Sequence, residues 1–246
     1  MTNSALTPGE LDRFAETYYL NDAIADVDIE ELAQRHSVPR LVEAIDGRRT
    51  LEMGYGTGLI TTELIAAGVQ LEVLEGSARL CEVAAERHGA DGLRVHHAMF
   101  EAFQPEQPYG AVLALHVLEH VDDAPGLARH IAQWVEPGGV LVAVTPNAQS
   151  IHRQLGVRMG LHDTLDALSP RDHLVGHRRV YDIDGLTADL VAAGLEVVDV
   201  FGYFVKPLSN AMMLDWSREV LDGLNAIADV VPAWLCANIG VVARRP

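Results

Sequence analysis

Leu51-Glu52-Met53-Gly54-Tyr55-Gly56-Thr57-Gly58 is the stretch that decides the fold. An extended run, Arg48 to Met53, meets glycines at alternate positions, and a helical pattern carried by Leu59, Ile60, Leu64 and Ile65 begins at once. Glycines at a strand-to-helix junction let the backbone turn sharply and leave room for a ligand against the N–H groups of a helix N-terminus. A second apolar run, Val69 to Leu74, ends at Glu75, about twenty residues beyond Gly56, where an acidic side chain can accept from both hydroxyls of a ribose. The expectation is a pocket for an adenosine-containing ligand.

Outward from this junction, apolar runs alternate between strand and helix, the mark of a parallel sheet with crossover helices. Strands are expected at Thr50–Met53, Leu71–Leu74, Leu93–His96, Ala111–Leu115, Val140–Val144, Leu195–Val200 and Ala237–Val242. Helices between them should start near Thr57, Ser77, Asp123 and Ile183, and stop near Gly68, Gly89 and Gly194. Residues 1–44 read as an N-terminal helical cap and 45–246 as the main domain, with a cover insertion at about 147–182.

The 246 residues fit one α/β domain, and no apolar run approaches the ~18 residues of a membrane span. Met1 to Ala5 has neither the basic start nor the apolar stretch of a signal peptide. Cys81 and Cys236 read as core thiols, so a cytoplasmic protein is expected, with no membrane partner. A formal net charge of −17, from 35 acidic and 18 basic residues, would repel a phosphate backbone and argues against a nucleic-acid substrate. Lys206 is the only lysine.

Spacing narrows the ligand. The dinucleotide fingerprint is G-x-G-x-x-G, whereas this chain has G-x-G-x-G with Glu52 two residues ahead. That pattern resembles the first motif of class I S-adenosylmethionine-dependent methyltransferases. His116-Val117-Leu118-Glu119-His120-Val121, Glu136-Pro137-Gly138-Gly139-Val140 and Thr145-Pro146-Asn147 extend the likeness over about Leu51 to Gly156. The set is similar to the ubiquinone-biosynthesis O-methyltransferase type of small-molecule enzyme. The resemblance implies S-adenosylmethionine as cofactor and a Rossmann-like seven-stranded sheet with helices on both faces. Its last strand inserts antiparallel between the fifth and sixth. It also implies that the cofactor's amino acid end meets Glu52 and backbone amides of Gly54, Gly56 and Gly58. Glu75 and Gly76 would hold the ribose, with Phe100 and Glu101 at the adenine.

Methyl transfer from a sulfonium requires an aligned acceptor and, where that acceptor is protonated, a base. Histidine suits the role because its unperturbed pKa of ~6.5 lies near working pH. His116 ends the fourth strand, at the carboxyl edge where open α/β sheets bind ligands. His120 and Glu119 follow at one-face helical spacing. In the similar ubiquinone-pathway enzymes the matching segment reads Glu-x-x-Glu-His and is associated with a divalent metal. Here His116 replaces the first acid, leaving a His-Glu-His set, and no metal is expected.

The segment 147–182 concentrates Arg153, Arg158, Arg171, Arg178 and Arg179 with His152, His162, His173 and His177. Two readings stand: a basic cover that grips an anionic acceptor through arginine forks, or a solvated face with local Asp–Arg pairs. On the first, Arg171, Arg178, Arg179 and Tyr181 bind the acceptor, and His173 and His177 join His116 and His120 as candidate catalytic groups. Tyr18 and Tyr19 could close over the cofactor from the N-terminal helices, with core packing the preferred reading, and Trp134, Trp216 and Trp234 are expected as packing residues. The expected activity is methyl transfer to oxygen or nitrogen of a small, anionic metabolite by a monomer or homodimer. The alternatives are a peptide or protein methyltransferase and a non-catalytic cofactor-binding subunit.

Overall fold

Thr50 to Met53, the strand before the glycines, is an interior strand of a seven-stranded sheet, and Leu59 to Ala66, the helix after them, packs on one face of that sheet. The structure is a computed structural model and describes residues 7–21 and 27–246. Met1 to Ala5 and part of the 1–44 cap lie outside the described residues. In chain order the elements are α1 (Pro8–Phe14), α2 (Val27–Ile45), β1 (Thr50–Met53), α3 (Leu59–Ala66), β2 (Leu71–Glu75), α4 (Ala78–His88), β3 (Arg94–His97) and β4 (Tyr109–Leu115). Then come α5 (Ala124–Ala132), β5 (Val135–Pro146), α6 (Ile151–Arg158), α7 (Pro170–Leu174), α8 (Ile183–Ala192), β6 (Glu196–Tyr203), α9 (Arg218–Ile227) and β7 (Asn238–Arg244). A π-helical turn, Ala15–Tyr19, continues α1.

The strand order is β3-β2-β1-β4-β5-β7-β6, with β7 antiparallel to both neighbours and the other pairings parallel. Alternation along β4 and β5 assigns the two faces. Val112, Ala114, Leu141 and Ala143 pack with Leu127, Ile131, Leu186 and Leu190 of α5 and α8. Ala111, Leu113, Val142 and Val144 pack with Leu41 and Ile45 of α2 and with Ile60 and Leu64 of α3. Both faces are buried, which is why these strands read as continuous apolar runs.

The chain winds outward from β1 in one direction and from β4 in the other, so the crevice between their carboxyl ends is a topological switch point. Ser77, Asp123 and Asp182 each accept a hydrogen bond from a backbone N–H of the helix they precede.

α4 stops where expected, with Gly89 as its C-cap, and a short 3₁₀ turn then runs to Gly92 at φ 77°. Two details depart from expectation. Pro137-Gly138-Gly139 lies inside β5, not in a turn before it, because Gly138 N–H donates to Arg245 O and Arg245 N–H to Gly139 O. Trp134 is buried as expected, but Trp234 is 43% exposed. Cys236 is buried and Cys81 half-buried, and both are free thiols. No described helix is long and apolar enough to cross a membrane.

Candidate active site

Gly54, Gly56 and Gly58 adopt φ of 81°, 55° and 78°. All three lie in the left-handed region that side chains avoid, which explains glycine at alternate positions. Gly54 and Gly56 line a cavity of about 220 Å³ over the switch point. A Cβ on Gly54 would meet nothing within 4 Å, so its backbone is open to a ligand. Gly58 has a different reason. It caps α3 and does not line the cavity, and a Cβ there would come 2.3 Å from the Tyr55 hydroxyl. Gly76 is likewise required by packing: its Cβ would fall 2.8 Å from Leu11 of α1.

Glu75, at the tip of β2, is 7% exposed and lines the cavity. Oε2 accepts from Tyr55 N–H at 2.8 Å and Oε1 from Ser77 N–H at 2.7 Å. Each oxygen keeps a lone pair, so a rigidly held carboxylate can still accept from two ribose hydroxyls. Burial pushes its carboxyl up, against the pull of these N–H donors. Phe100 lines the cavity, whereas Glu101 is exposed and does not.

Glu52 is 3% exposed, lines the cavity and accepts from Thr61 Oγ1 at 2.7 Å. Burial pushes its carboxyl up to about 8, opposed by the Thr61 hydrogen bond and assisted by the charge of Glu75. A neutral Glu52 suits the free chain: its stability contribution is present at low pH and is lost as pH rises through about 8. A cationic amine beside Glu52 favours the ionised form. Binding of S-adenosylhomocysteine near neutrality should therefore release about one proton. Calorimetry in buffers of different ionisation enthalpy reads this release. Glu52→Gln should abolish it, and a wild-type titration without proton release would place the amine elsewhere.

The other half of the cavity is built by β4, β6 and the N-terminal helices. His116 follows β4 with φ 56°, and Phe204 follows β6 with φ 61°. Such left-handed non-glycine residues are sparsely populated and cluster at functional sites. These two breaks flank a facing pair: His116 Nε2 lies 2.9 Å from the Tyr203 hydroxyl. His116 Nδ1 lies 3.2 Å from Oε1 of Glu119, which is fully buried. Burial acts to raise the Glu119 carboxyl, but the His116 hydrogen bond and the charges of His116, His120 and His177 outweigh it and hold it low. An ionised carboxylate only accepts, so Nδ1 carries the hydrogen and Nε2 accepts from Tyr203. Tyr203 stays neutral, its hydroxyl pushed far up by burial and then by Glu119 and Glu30.

His120 also lines the cavity, and burial pushes its imidazole down to about 4 despite Glu119. Its ring meets that of His177 edge-on at 4.8 Å. Glu119, His120 and His177 each bring one ligand-type atom within 4.8 Å of the others. The third member of that cluster is thus His177, not His116, whose two nitrogens face Glu119 and Tyr203. A neutral His120 and an ionised Glu119 are in the protonation states that ligate a cation.

The cover behaves otherwise than the anion-gripping expectation. His173 is exposed and outside the cavity. His177 Nδ1 is 2.8 Å from Asp172, which Arg153 also meets at 2.6 Å. Arg171 donates to the Tyr18 hydroxyl and approaches Glu30 at 3.7 Å. Arg178 approaches Asp122 at 3.5 Å, and Arg179 donates to the carbonyls of Leu118 and Asp122. Tyr181 is buried, with its hydroxyl on Asp189. Among the described residues no arginine or lysine lines the cavity, and Arg153, Arg171, Arg178 and Arg179 are engaged by carboxylates, a hydroxyl or backbone carbonyls.

Tyr18 is buried and Tyr19 packs against a core cluster, and both also line the cavity. The π turn aims both inward, and α1 is held over the site by Asp12, which accepts from Ser77 Oγ and Arg79 N–H.

Comparison with known proteins agrees with this geometry. Residues 27–200 match a family model described as a methyltransferase domain. A ubiquinone biosynthesis O-methyltransferase of Methylocella silvestris is 30% identical over 216 residues, covering 82% of this chain and 78% of the relative. One from Sinorhizobium medicae is 26% identical over 211 residues, covering 85% and 77%. The fold is shared with a Thermotoga maritima structure described as an S-adenosylmethionine-dependent methyltransferase, possible histamine N-methyltransferase. That likeness has a TM-score of 0.65 at 15% identity and covers 96% of this chain and 98% of the other. A sheet of this order, glycines that open one end of its crevice, carboxylates at β1 and β2 and these matches lead to one assignment: the chain belongs to the class I S-adenosylmethionine-dependent methyltransferases.

Proposed function

We propose that the enzyme methylates a hydroxyl or amine of a small-molecule acceptor, with His116 as general base. The observation that carries this reading is the Tyr203–His116–Glu119 line, which directs one basic imidazole nitrogen at the cavity. S-adenosylmethionine, when bound, supplies a methyl group on a cationic sulfur, a good leaving group for in-line displacement. Glu119 fixes the tautomer of His116 and stabilises the imidazolium formed when Nε2 takes a proton. An acceptor hydroxyl that replaces the Tyr203 hydroxyl on Nε2 has its proton where His116 receives it. Relatives named as O-methyltransferases favour oxygen as the methylated atom.

The small size of the acceptor is supported by the roof. Leu11, Phe14, Tyr18 and Tyr19 of the N-terminal segment all line the cavity, which favours a small acceptor over a peptide chain. The anionic character expected from the sequence draws no support from the lining, which carries Glu30, Glu31, Glu52 and Glu75.

The test is transfer of label from S-adenosylmethionine to a low-molecular-weight metabolite fraction, with a peptide library run alongside. Label should enter a small molecule. Glu119→Gln keeps the side-chain volume but removes a charged acceptor worth about 1.5–3 kcal/mol, so turnover should fall about 10–100-fold. Its alkaline-going pH–rate limb should shift while S-adenosylhomocysteine affinity holds. Label confined to peptides would reject the small-molecule reading.

A further inference from the structure

The acceptor half of the cavity has an uneven charge distribution. Glu30 and Glu31, neighbours on α2, both line it. Glu30 is engaged: it accepts from the Tyr18 hydroxyl at 3.2 Å and from Asn210 Nδ2 at 3.1 Å, with Arg171 at 3.7 Å offsetting its charge. Glu31 is half-buried and has no hydrogen-bond or ion-pair partner among the described residues. Phe14, Tyr19 and Tyr203 supply aromatic surface to the same walls. The negative field reaches those rings. Tyr19 has its hydroxyl pushed up by burial and then by the charges of Glu75, Glu119 and Glu30.

Once the cofactor occupies Glu52 and Glu75, Glu31 is the lining carboxylate left without a partner among the described residues. A carboxylate half out of water beside aromatic faces is the combination that receives an organic cation, through a charge-assisted hydrogen bond and ring-face attraction. An anion there would face Glu31, which no cation among the described residues offsets. The acidic chain, at formal charge −17, steers diffusing molecules the same way.

We infer that the acceptor carries a protonated amine, separate from the atom methylated, which Glu31 holds against the aromatic wall of the cavity. This inference rests on the small-acceptor reading above, because it places the acceptor between α2 and His116. It does not depend on which residue is the base.

The experiment titrates the S-adenosylhomocysteine-loaded enzyme with three phenols of one shape: tyramine, para-ethylphenol and para-hydroxyphenylacetate. Loading with the uncharged-sulfur product fills the cofactor end and removes the sulfonium as a competing cation. Tyramine should bind about tenfold or more tightly than para-hydroxyphenylacetate, the lower end of what one hydrogen bond to a charged group contributes. Para-ethylphenol should fall between them. In Glu31→Gln the advantage of tyramine over para-ethylphenol should disappear. Equal binding of the three, preference for the carboxylate, binding of none, or an advantage that survives Glu31→Gln would overturn the inference. Failure of the His116 reading has a separate signature, since a turnover-competent His116→Ala enzyme would leave this order of affinities unchanged.

Discussion

His116→Ala is expected to lower turnover by about 10²–10⁴ while S-adenosylhomocysteine affinity stays within a few-fold of wild type. The asymmetry follows from placement. Glu52, Glu75 and the glycine turn lie at the ends of β1 and β2, whereas His116 lies after β4 and contacts Glu119 and Tyr203. Removing the imidazole therefore deletes the base without touching a cofactor-side group. It also leaves Glu119 as a buried carboxylate without its hydrogen bond, and a second buried oxygen, Oε2, already has no partner. Some loss of stability accompanies the variant, so melting temperature is measured beside turnover. His116→Asn separates the two effects: its shorter amide relieves the left-handed strain, since Asn tolerates φ 56°, but has no basic nitrogen. A folded His116→Asn with wild-type turnover would move proton removal to another group, with His120 next in the cavity.

The parts legible in the sequence were those with local signatures. Glycines at alternate positions need left-handed backbone, an acid about twenty residues on ends the next strand, and apolar runs buried on both faces cannot be surface segments. His116 was legible for the same reason, because a residue just beyond a strand has its position fixed by the sheet. Tyr203 was not. It joins His116 across 87 residues because β6 runs in the same direction as β4, which puts the two carboxyl ends at one edge of the sheet. Glu31 sat in a helical pattern whose polar face carried no mark of which side the site would lie on. The cover arginines misled through composition. Density of positive charge says nothing about direction, and Arg153, Arg178 and Arg179 turn toward Asp172, Asp122 and backbone carbonyls that were already present in the sequence.

Glu75→Gln should weaken S-adenosylhomocysteine by about one to two orders of magnitude, although the substitution changes no shape. Both carboxylate oxygens of Glu75 accept backbone N–H groups, from Tyr55 and from Ser77. Glutamine has one carbonyl oxygen, so its NH₂ must face one of these donors, and no flip of the amide avoids it. One N–H is then buried and unsatisfied, at a cost of about 1–3 kcal/mol. The acceptor for one ribose hydroxyl is lost as well, a charged hydrogen bond worth about 1.5–3 kcal/mol. The first cost is present with and without ligand and is read as stability, whereas the ribose term is read as affinity, at about 1.4 kcal/mol per decade. Part of the cost falls on the free enzyme, because Tyr55 and Ser77 belong to the turn and the helix cap whether or not ligand is present. Melting temperature should therefore drop along with affinity. Glu75→Ala tells the two roles apart: it opens space for water to satisfy Tyr55 and Ser77, so it should destabilise the fold less than Glu75→Gln while losing both ribose contacts. Calorimetric affinity that stays at the wild-type level in a folded Glu75→Ala protein would confine Glu75 to clamping the turn and leave the ribose without its holder.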